Sequence, residues 1–445
     1  MSLLLTKEEI INNINKKNFF IEREKLVVYL NFTRLNFLKY SKNINNNNNN
    51  FGNEKHINPL LWQVGHVVFF YINYLKENIS TLKDVYFIND ITQYLEFYDS
   101  YLTPLENRNG DLLLNYEILI KFYNKIIDSL IDFCSDLKLT FTKYESYLIM
   151  ICILHNEMHN EAFIFTKLCI TNIIDFDITS CDEKLLENME FIKYPEGTFI
   201  QGFIENENSK SILSFDNENP CFKKKIKEFS ISKYPITENM FLDFIKNKGY
   251  ENNEYWCRNS LLWKNKNNIK LPLYWKYENN QYFKLLNNTK YSVETNLPIT
   301  NISYFEAKAY CRWKNVRLPT ESEFEYVSTN MGKTLFPWGD SNKDTNINYK
   351  NYILSVKNNV NITNFNGVMG LVGNIWQWCE EPIYPYNGFQ IDPIYREMSY
   401  PFFGFKKICK GGSFAVPNFL IHPKYRNAQY PDCRIQFIGF RVCKN

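Results

Sequence analysis

The sequence predicts a multidomain α and α+β molecule, an all-helical bundle followed by a loop-rich α+β domain. Three observations carry this. Apolar residues recur at helical spacing through about the first 175 residues, and after about residue 185 prolines, glycines, tryptophans and short strand-like pieces take over. The helical part also holds two histidines one turn apart, His155 and His159, with His66 upstream. A chain of 445 residues is long enough for two or three domains.

In order along the chain, periodic segments lie near residues 6–40, 82–103 and 113–137. Asn58-Pro59 reads as an N-cap followed by proline at the first helical position. Leu61, Val64, Val68, Ile72 and Leu75 then follow at helical spacing, with His66 at the edge of their apolar stripe. A longer helix, about Tyr144 to Cys169, is apolar on most sides and carries His155 and His159. Together these predict an up-and-down bundle with its functional groups between helices. The run Asn45–Asn50 is a low-complexity polar loop that codon bias explains.

In the second half, Ser303-x-x-Glu306 and Thr320-x-x-Glu323 are capping boxes that start two helices. Glu321-Ser-Glu-Phe-Glu325 reads as a solvated first turn complementing the helix dipole. Trp376 and Trp378 read as core, and His422 as structural. The composition shift near 175–190 sets the expected boundaries: a bundle over 1–175, a linker over 176–189 and the second domain over 190–445.

Bulk properties narrow the function. The 51 basic and 48 acidic residues leave a net charge of +3, without the basic excess of a nucleic-acid binder. The 11 cysteines are odd in number and scattered, which argues against a disulfide framework or zinc ribbon. Charged residues come too early for a secretory leader, and no stretch reaches the roughly 18 apolar residues of a membrane span. A cytoplasmic protein with reduced thiols and no membrane partner is expected.

Two imidazoles at i and i+4 share a helix face and can reach one ion. A third from a neighbouring helix leaves positions open for water, substrate and O2, as a catalytic metal requires. On spacing alone, packing is the more frequent role for such a pair. The zinc-protease pattern is a poor fit, because it needs glutamate directly after the first histidine. Asn156 stands there, and Glu157 lies roughly 200° around the helix from His155.

Longer motifs resemble known families. Arg317-Leu-Pro-Thr-Glu-Ser-Glu-Phe-Glu-Tyr326, Phe336-Pro-Trp-Gly-Asp340, Gly373-Asn-Ile-Trp-Gln-Trp378, Gly411-Gly-Ser-Phe414 and Gly439-Phe-Arg441 resemble, in order, the signatures of the formylglycine-generating-enzyme-like (sulfatase-modifying-factor) domain, a C-type-lectin-related fold. Leu61-Trp-Gln-Val-Gly-His-Val-Val-Phe-Phe70 and His155-Asn-Glu-Met-His-Asn-Glu161 resemble the DinB-like iron-binding bundle. That domain order resembles the iron-dependent sulfoxide synthases of ergothioneine and ovothiol biosynthesis.

The resemblance implies Fe(II) held by His66, His155 and His159, and admits a structural Ca2+ in the C-terminal domain. It places the active-site tyrosine on Tyr395, in Gly388-Phe-Gln-Ile-Asp-Pro-Ile-Tyr395, and a substrate-binding stretch on Arg426-Asn427-Ala428-Gln429. Asn427 would touch the histidine-derived substrate. Enzymes using γ-glutamylcysteine typically carry Trp and Asp where this chain has Ala428 and Gln429. Their paired carboxylate-binding arginines are also not evident, Arg108 being the one arginine in the corresponding stretch. Cysteine is therefore the favoured thiol.

The implied substrates are small molecules: hercynine or histidine, cysteine or γ-glutamylcysteine, and O2. The thiol sulfur joins an imidazole carbon and becomes a sulfoxide; one oxygen atom goes to sulfur and the other leaves as water. Tyr395 would donate a proton or hydrogen atom that steers the reaction towards C–S bond formation rather than thiol oxidation. Alternatives are an ovothiol-type synthase yielding 5-histidylcysteine sulfoxide, a formylglycine-generating oxidase and a non-catalytic lectin-like binding module. The oxidase needs closely spaced metal-binding cysteines, and Cys433 and Cys443 are ten residues apart.

Overall fold

The protein is described by a computed structural model covering residues 6–44, 57–76, 78–79, 91–178, 184–340, 352–358 and 363–445. The asparagine run, the start of the 82–103 segment and residues 179–183 of the expected linker lie outside the described residues. The chain divides into two compact units. The first is Met1–Thr171 together with Glu205–Leu213 and Asp392–Glu397; the second is Asn172–Ile204, Ser214–Ile391 and Met398–Asn445.

The first unit holds helices α1 (Lys7–Lys16), α2 (Arg23–Ser41), α3 (Leu60–Leu75), α4 (Ile91–Phe97), α5 (Tyr116–Ser135) and α6 (Lys143–Thr171). Its core is a four-helix arrangement in which α2 and α3 each pack on both α5 and α6. Local chemistry sets several starts. Thr6 and Glu9 form a reciprocal capping box on α1, and the Asn115 side chain accepts from the Ile118 amide at the head of α5.

The start of α3 differs from expectation. Pro59 is the N-cap and Asn58 lies outside the helix. The Asn58 side-chain oxygen instead accepts a charge-assisted hydrogen bond from Arg108 Nη1, and its carbonyl accepts from Gln63 Nε2 at 3.0 Å. A residue before proline is pushed to extended backbone, which suits this outward role. Every residue from Leu60 to Ile72 is buried, so α3 has no solvent face over its first three turns.

Among the described residues, the second unit is built from short strands and four α-helices. In chain order these are β1 (Asp177–Ile178), β2 (Phe191–Tyr194), β3 (Gly197–Gln201), β4 (Phe222–Ile226), β5 (Phe229–Ser232), α7 (Glu238–Lys246), α8 (Arg258–Lys266), β6 (Trp275–Glu278), β7 (Gln281–Leu286) and β8 (Thr289–Ser292). There follow α9 (Tyr304–Lys314), α10 (Glu321–Ser328), β9 (Tyr352–Ile353), β10 (Trp376–Pro382), β11 (Lys407–Lys410), β12 (Asn427–Gln429), β13 (Ile438–Gly439) and β14 (Cys443–Lys444). The central sheet has the order β12-β11-β10-β13, with β10–β11 and β11–β12 antiparallel and β10–β13 parallel. Trp376 and Trp378 are buried, and Trp378 Nε1 donates to the Ile302 carbonyl at 3.1 Å. Both capping boxes, Ser303–Glu306 and Thr320–Glu323, are present.

The acidic start of α10 corrects the sequence reading. Glu321, Glu323 and Glu325 are all buried rather than solvated. Arg426 Nε donates to Glu321 at 2.6 Å, Arg317 grips both Glu323 oxygens at 2.7 Å, and Lys424 Nζ lies 3.0 Å from Glu325. Two of these cations, Arg426 and Lys424, come from about a hundred residues away, so the acidic run alone looked like a surface turn. Burial of an acid is sustained here by such pairing.

Candidate metal centre

α3 and α6 pack together and bring His66 opposite His155 and His159. The ligand-capable nitrogens of the three lie within 4.8 Å of one another. His66 Nε2 and His155 Nε2 are 3.0 Å apart. Nitrogens bound about 2.0–2.1 Å from one metal stand at about this separation.

The surroundings fix each ring. His66 Nδ1 donates to the Tyr98 carbonyl at 2.7 Å, which leaves Nε2 with its lone pair turned to the cluster. Trp62, one turn earlier on α3, stacks on the His66 imidazole with centroids 4.9 Å apart and planes within 10°. The Arg108 guanidinium covers the Trp62 ring at 4.1 Å. Gln63 Oε1 is 3.4 Å from His159 Nδ1. Phe70 lies flat on His155, with centroids 3.6 Å apart and an interplanar angle of 6°. His155 Nδ1 is buried without a hydrogen-bond partner.

Close approach of Tyr98 depends on Gly65. A Cβ there would stand 2.0 Å from Tyr98 Cε1, so only glycine admits the ring whose own carbonyl holds His66. Burial pushes the His66 imidazolium pKa down to about 4, opposed in part by the Tyr98 carbonyl. Burial and the neighbouring imidazoles hold His155 well below its ordinary value, and burial and the His66 charge do the same for His159. All three are therefore neutral donors near pH 7, the protonation state that metal ligation requires. With His66 Nε2 and His155 Nε2 turned to each other and His155 Nδ1 buried without a partner, the cluster is incompletely satisfied by protein alone. The donor set fits a divalent transition metal.

Tyr395 belongs to the same compact unit through the segment Asp392–Glu397. Its ring is edge-on to His155 at 5.7 Å and to Phe70 at 5.3 Å, and its hydroxyl lies 4.0 Å from Met158 Sδ. The structure thus brings together His66, His155, His159 and Tyr395, the metal and tyrosine positions expected from sequence.

Arg426, Asn427, Ala428 and Gln429 lie in the second unit. Arg426 is buried, with its guanidinium held by Glu321 and by the Tyr384 carbonyl at 3.0 Å, so its side chain supports the stretch from inside the domain. Asn427, Ala428 and Gln429 form β12, half-buried and paired with Cys409, Ile408 and Lys407. Arg108 is also engaged locally. It donates to the Thr103 and Ser100 carbonyls at 3.0 Å and to Asn58, and burial lowers its pKa to about 10.

Sequence reasoning missed Trp62, Phe70 and the Tyr98 carbonyl. Trp62 and Phe70 stand four residues either side of His66, a spacing that could have flagged both. Nothing in the sequence marks the carbonyl. The described cysteines are free thiols, and burial pushes Cys433 up to about 11 and Cys443 well above its ordinary value, unlike a thiolate metal pair. No described helix is long and apolar enough to cross a membrane.

Comparison with known proteins adds the family. Residues 178–445 match the sulfatase-modifying factor enzyme 1-like domain, and the chain belongs to that family. Within it, the chain is 29% identical over 238 residues to the hercynine oxygenase of Mycobacterium tuberculosis, covering 52% of this chain and 55% of that protein. It is 26% identical over 248 residues to the hercynine oxygenase of Mycolicibacterium smegmatis, covering 52% and 56%. A mouse formylglycine-generating enzyme is 28% identical over 172 residues, covering 33% and 44%. The chain spans about half the length of the hercynine oxygenases it matches.

Proposed function

We propose that the chain is a non-haem Fe(II)- and O2-dependent sulfoxide synthase that joins a thiol to hercynine, as in ergothioneine biosynthesis. The observation that carries this reading is the three-histidine cluster, with His155 buried and His159 half-buried, and Tyr395 beside it, in a chain similar to hercynine oxygenases. In this reading residues 1–175 are a DinB-like bundle, 176–189 a linker and 190–445 the formylglycine-generating-enzyme-like domain.

His66, His155 and His159 hold the metal, which when bound supplies a redox-active cation that favours thiolate over thiol. The chain's own groups prepare that site. The Tyr98 carbonyl keeps the His66 proton on Nδ1, so Nε2 stays free to ligate. Trp62 and Phe70 set the His66 and His155 ring planes by stacking and exclude water from one side of each. Tyr395 holds a transferable proton at its hydroxyl within reach of the same cluster, which gives coupling an advantage over plain thiol oxidation. Asn427 binds the histidine-derived substrate. Gln429 and Ala428 line the thiol subsite, and with no carboxylate at Gln429 to meet the γ-glutamyl ammonium they favour cysteine over γ-glutamylcysteine.

The test supplies Fe(II)-loaded protein with O2, hercynine and either thiol, and follows the coupled sulfoxide by mass spectrometry. Sulfoxide from cysteine in preference to γ-glutamylcysteine is expected. No coupled product from either thiol, with iron bound, would overturn the reaction assigned. His159→Ala should lower metal affinity by at least about tenfold and abolish turnover while leaving the helical circular dichroism unchanged. Tyr395→Phe should shift products from sulfoxide towards oxidised thiol, read by the same mass spectrum.

A further inference from the structure

The geometry points to Asp392 as the positioning residue that holds Tyr395 against the histidine cluster, by clamping the Asp392–Glu397 segment to the helix that carries His155 and His159. The inference rests on the reading of Tyr395 given above. Asp392 is 8% exposed, and its two carboxylate oxygens do different work. Oδ1 accepts the Ile394 amide at 2.8 Å and the Tyr395 amide at 3.1 Å, which shapes the turn that presents the phenol. Oδ2 accepts the Tyr147 hydroxyl and lies 3.6 Å from Lys17 Nζ.

Those two anchors are themselves joined. Lys17 follows α1, its ammonium stands 4.7 Å over the Tyr147 ring, and it donates to the Tyr147 hydroxyl at 3.4 Å. Phe19 packs edge-on against the same ring at 6.1 Å. Tyr147 lies on α6 eight residues before His155, about 12 Å along one helix axis. The clamp and two of the three histidines are thus carried by a single rigid element. A loop tied at that point cannot drift without breaking a hydrogen bond to a charged acceptor, among the stronger kinds in proteins.

Two substitutions separate clamping from turn shaping. Asp392→Asn keeps an oxygen for the turn, since asparagine forms the same local bonds, but places an amide nitrogen where Tyr147 and Lys17 need an acceptor. Tyr147→Phe removes the anchor's proton and leaves Asp392 intact. In full-length protein, both variants should bind Co(II) with wild-type affinity and lower the thermal midpoint by no more than the few degrees that one such hydrogen bond accounts for. Both should exchange amide protons across residues 392–397 at least about tenfold faster, the effect of losing one hydrogen bond to a charged group. In the Fe(II)-loaded enzyme both should also shift the ratio of coupled sulfoxide to oxidised thiol in the direction of Tyr395→Phe.

Wild-type exchange across the segment in both variants overturns the clamp. So does a product ratio that changes in Tyr395→Phe and in neither clamp variant. If Tyr395→Phe itself changes nothing, the proton-donor reading falls and the exchange rates alone decide the clamp.

Discussion

At the scale of single residues, the candidate centre depends on groups that are not ligands. Gly65 is an instance. It lies in a helix, where alanine would ordinarily be favoured, yet a methyl group would collide with the Tyr98 ring. Gly65→Ala should therefore destabilise the protein by about 1–3 kcal/mol and weaken metal binding through the displaced Tyr98 carbonyl. Denaturant unfolding and a Co(II) titration check both effects; unchanged values in both would mean that the ring moves aside without disturbing His66. Of the residues that build this centre, the three histidines could be read from spacing and motif together. Their orienting partners could not, because a backbone carbonyl has no sequence signature and stacking depends on rotamers.

At the scale of elements, the two histidine helices were readable in type and approximate extent, whereas α10 was misjudged. Apolar periodicity is a local property, so α6 could be read from its own residues. The burial of Glu321 and Glu325 is non-local and follows from cations that arrive from about a hundred residues away, whereas Glu323 is met by nearby Arg317. Glu325 illustrates the consequence. Its carboxylate accepts the Gly202 amide at 2.9 Å, and it faces two buried lysines, Lys424 at 3.0 Å and Lys410 at 3.7 Å. Glu325→Gln should cost about 3–5 kcal/mol, because it leaves two interior ammonium groups short of a counter-charge. The loss should appear as a lowered thermal midpoint of the second unit, and a loss below about 1 kcal/mol would mean that solvent reaches the lysines.

At the scale of the whole molecule, buried titratable groups set a pH profile. Burial raises the Glu218 carboxyl from 4.5 to about 8 and pushes His422, 3.4 Å away, from 6.5 to about 3. Between pH 4.5 and 8 the folded state keeps a proton on Glu218 that the unfolded chain has lost, so this contribution falls as pH rises through that window. For His422 the unfolded chain binds the extra proton between pH 3 and 6.5, so its contribution is lost as pH falls. Glu218→Gln is neutral at every pH. It should match the wild type near pH 4 and exceed it by up to about 5 kcal/mol at pH 9, as measured by denaturant unfolding. Equal stability at pH 9 would show that the acid ionises freely in the folded protein.

The two late segments of the first unit carry a consequence in time. Asp392–Glu397 leaves the ribosome only after more than two hundred residues that follow α6. At about 5–20 residues per second, that is roughly ten to fifty seconds of synthesis. Through that interval a nascent chain can hold all three histidines but no Tyr395, so under the proposed function the site can take up its ion before the tyrosine proposed to steer its chemistry has been made.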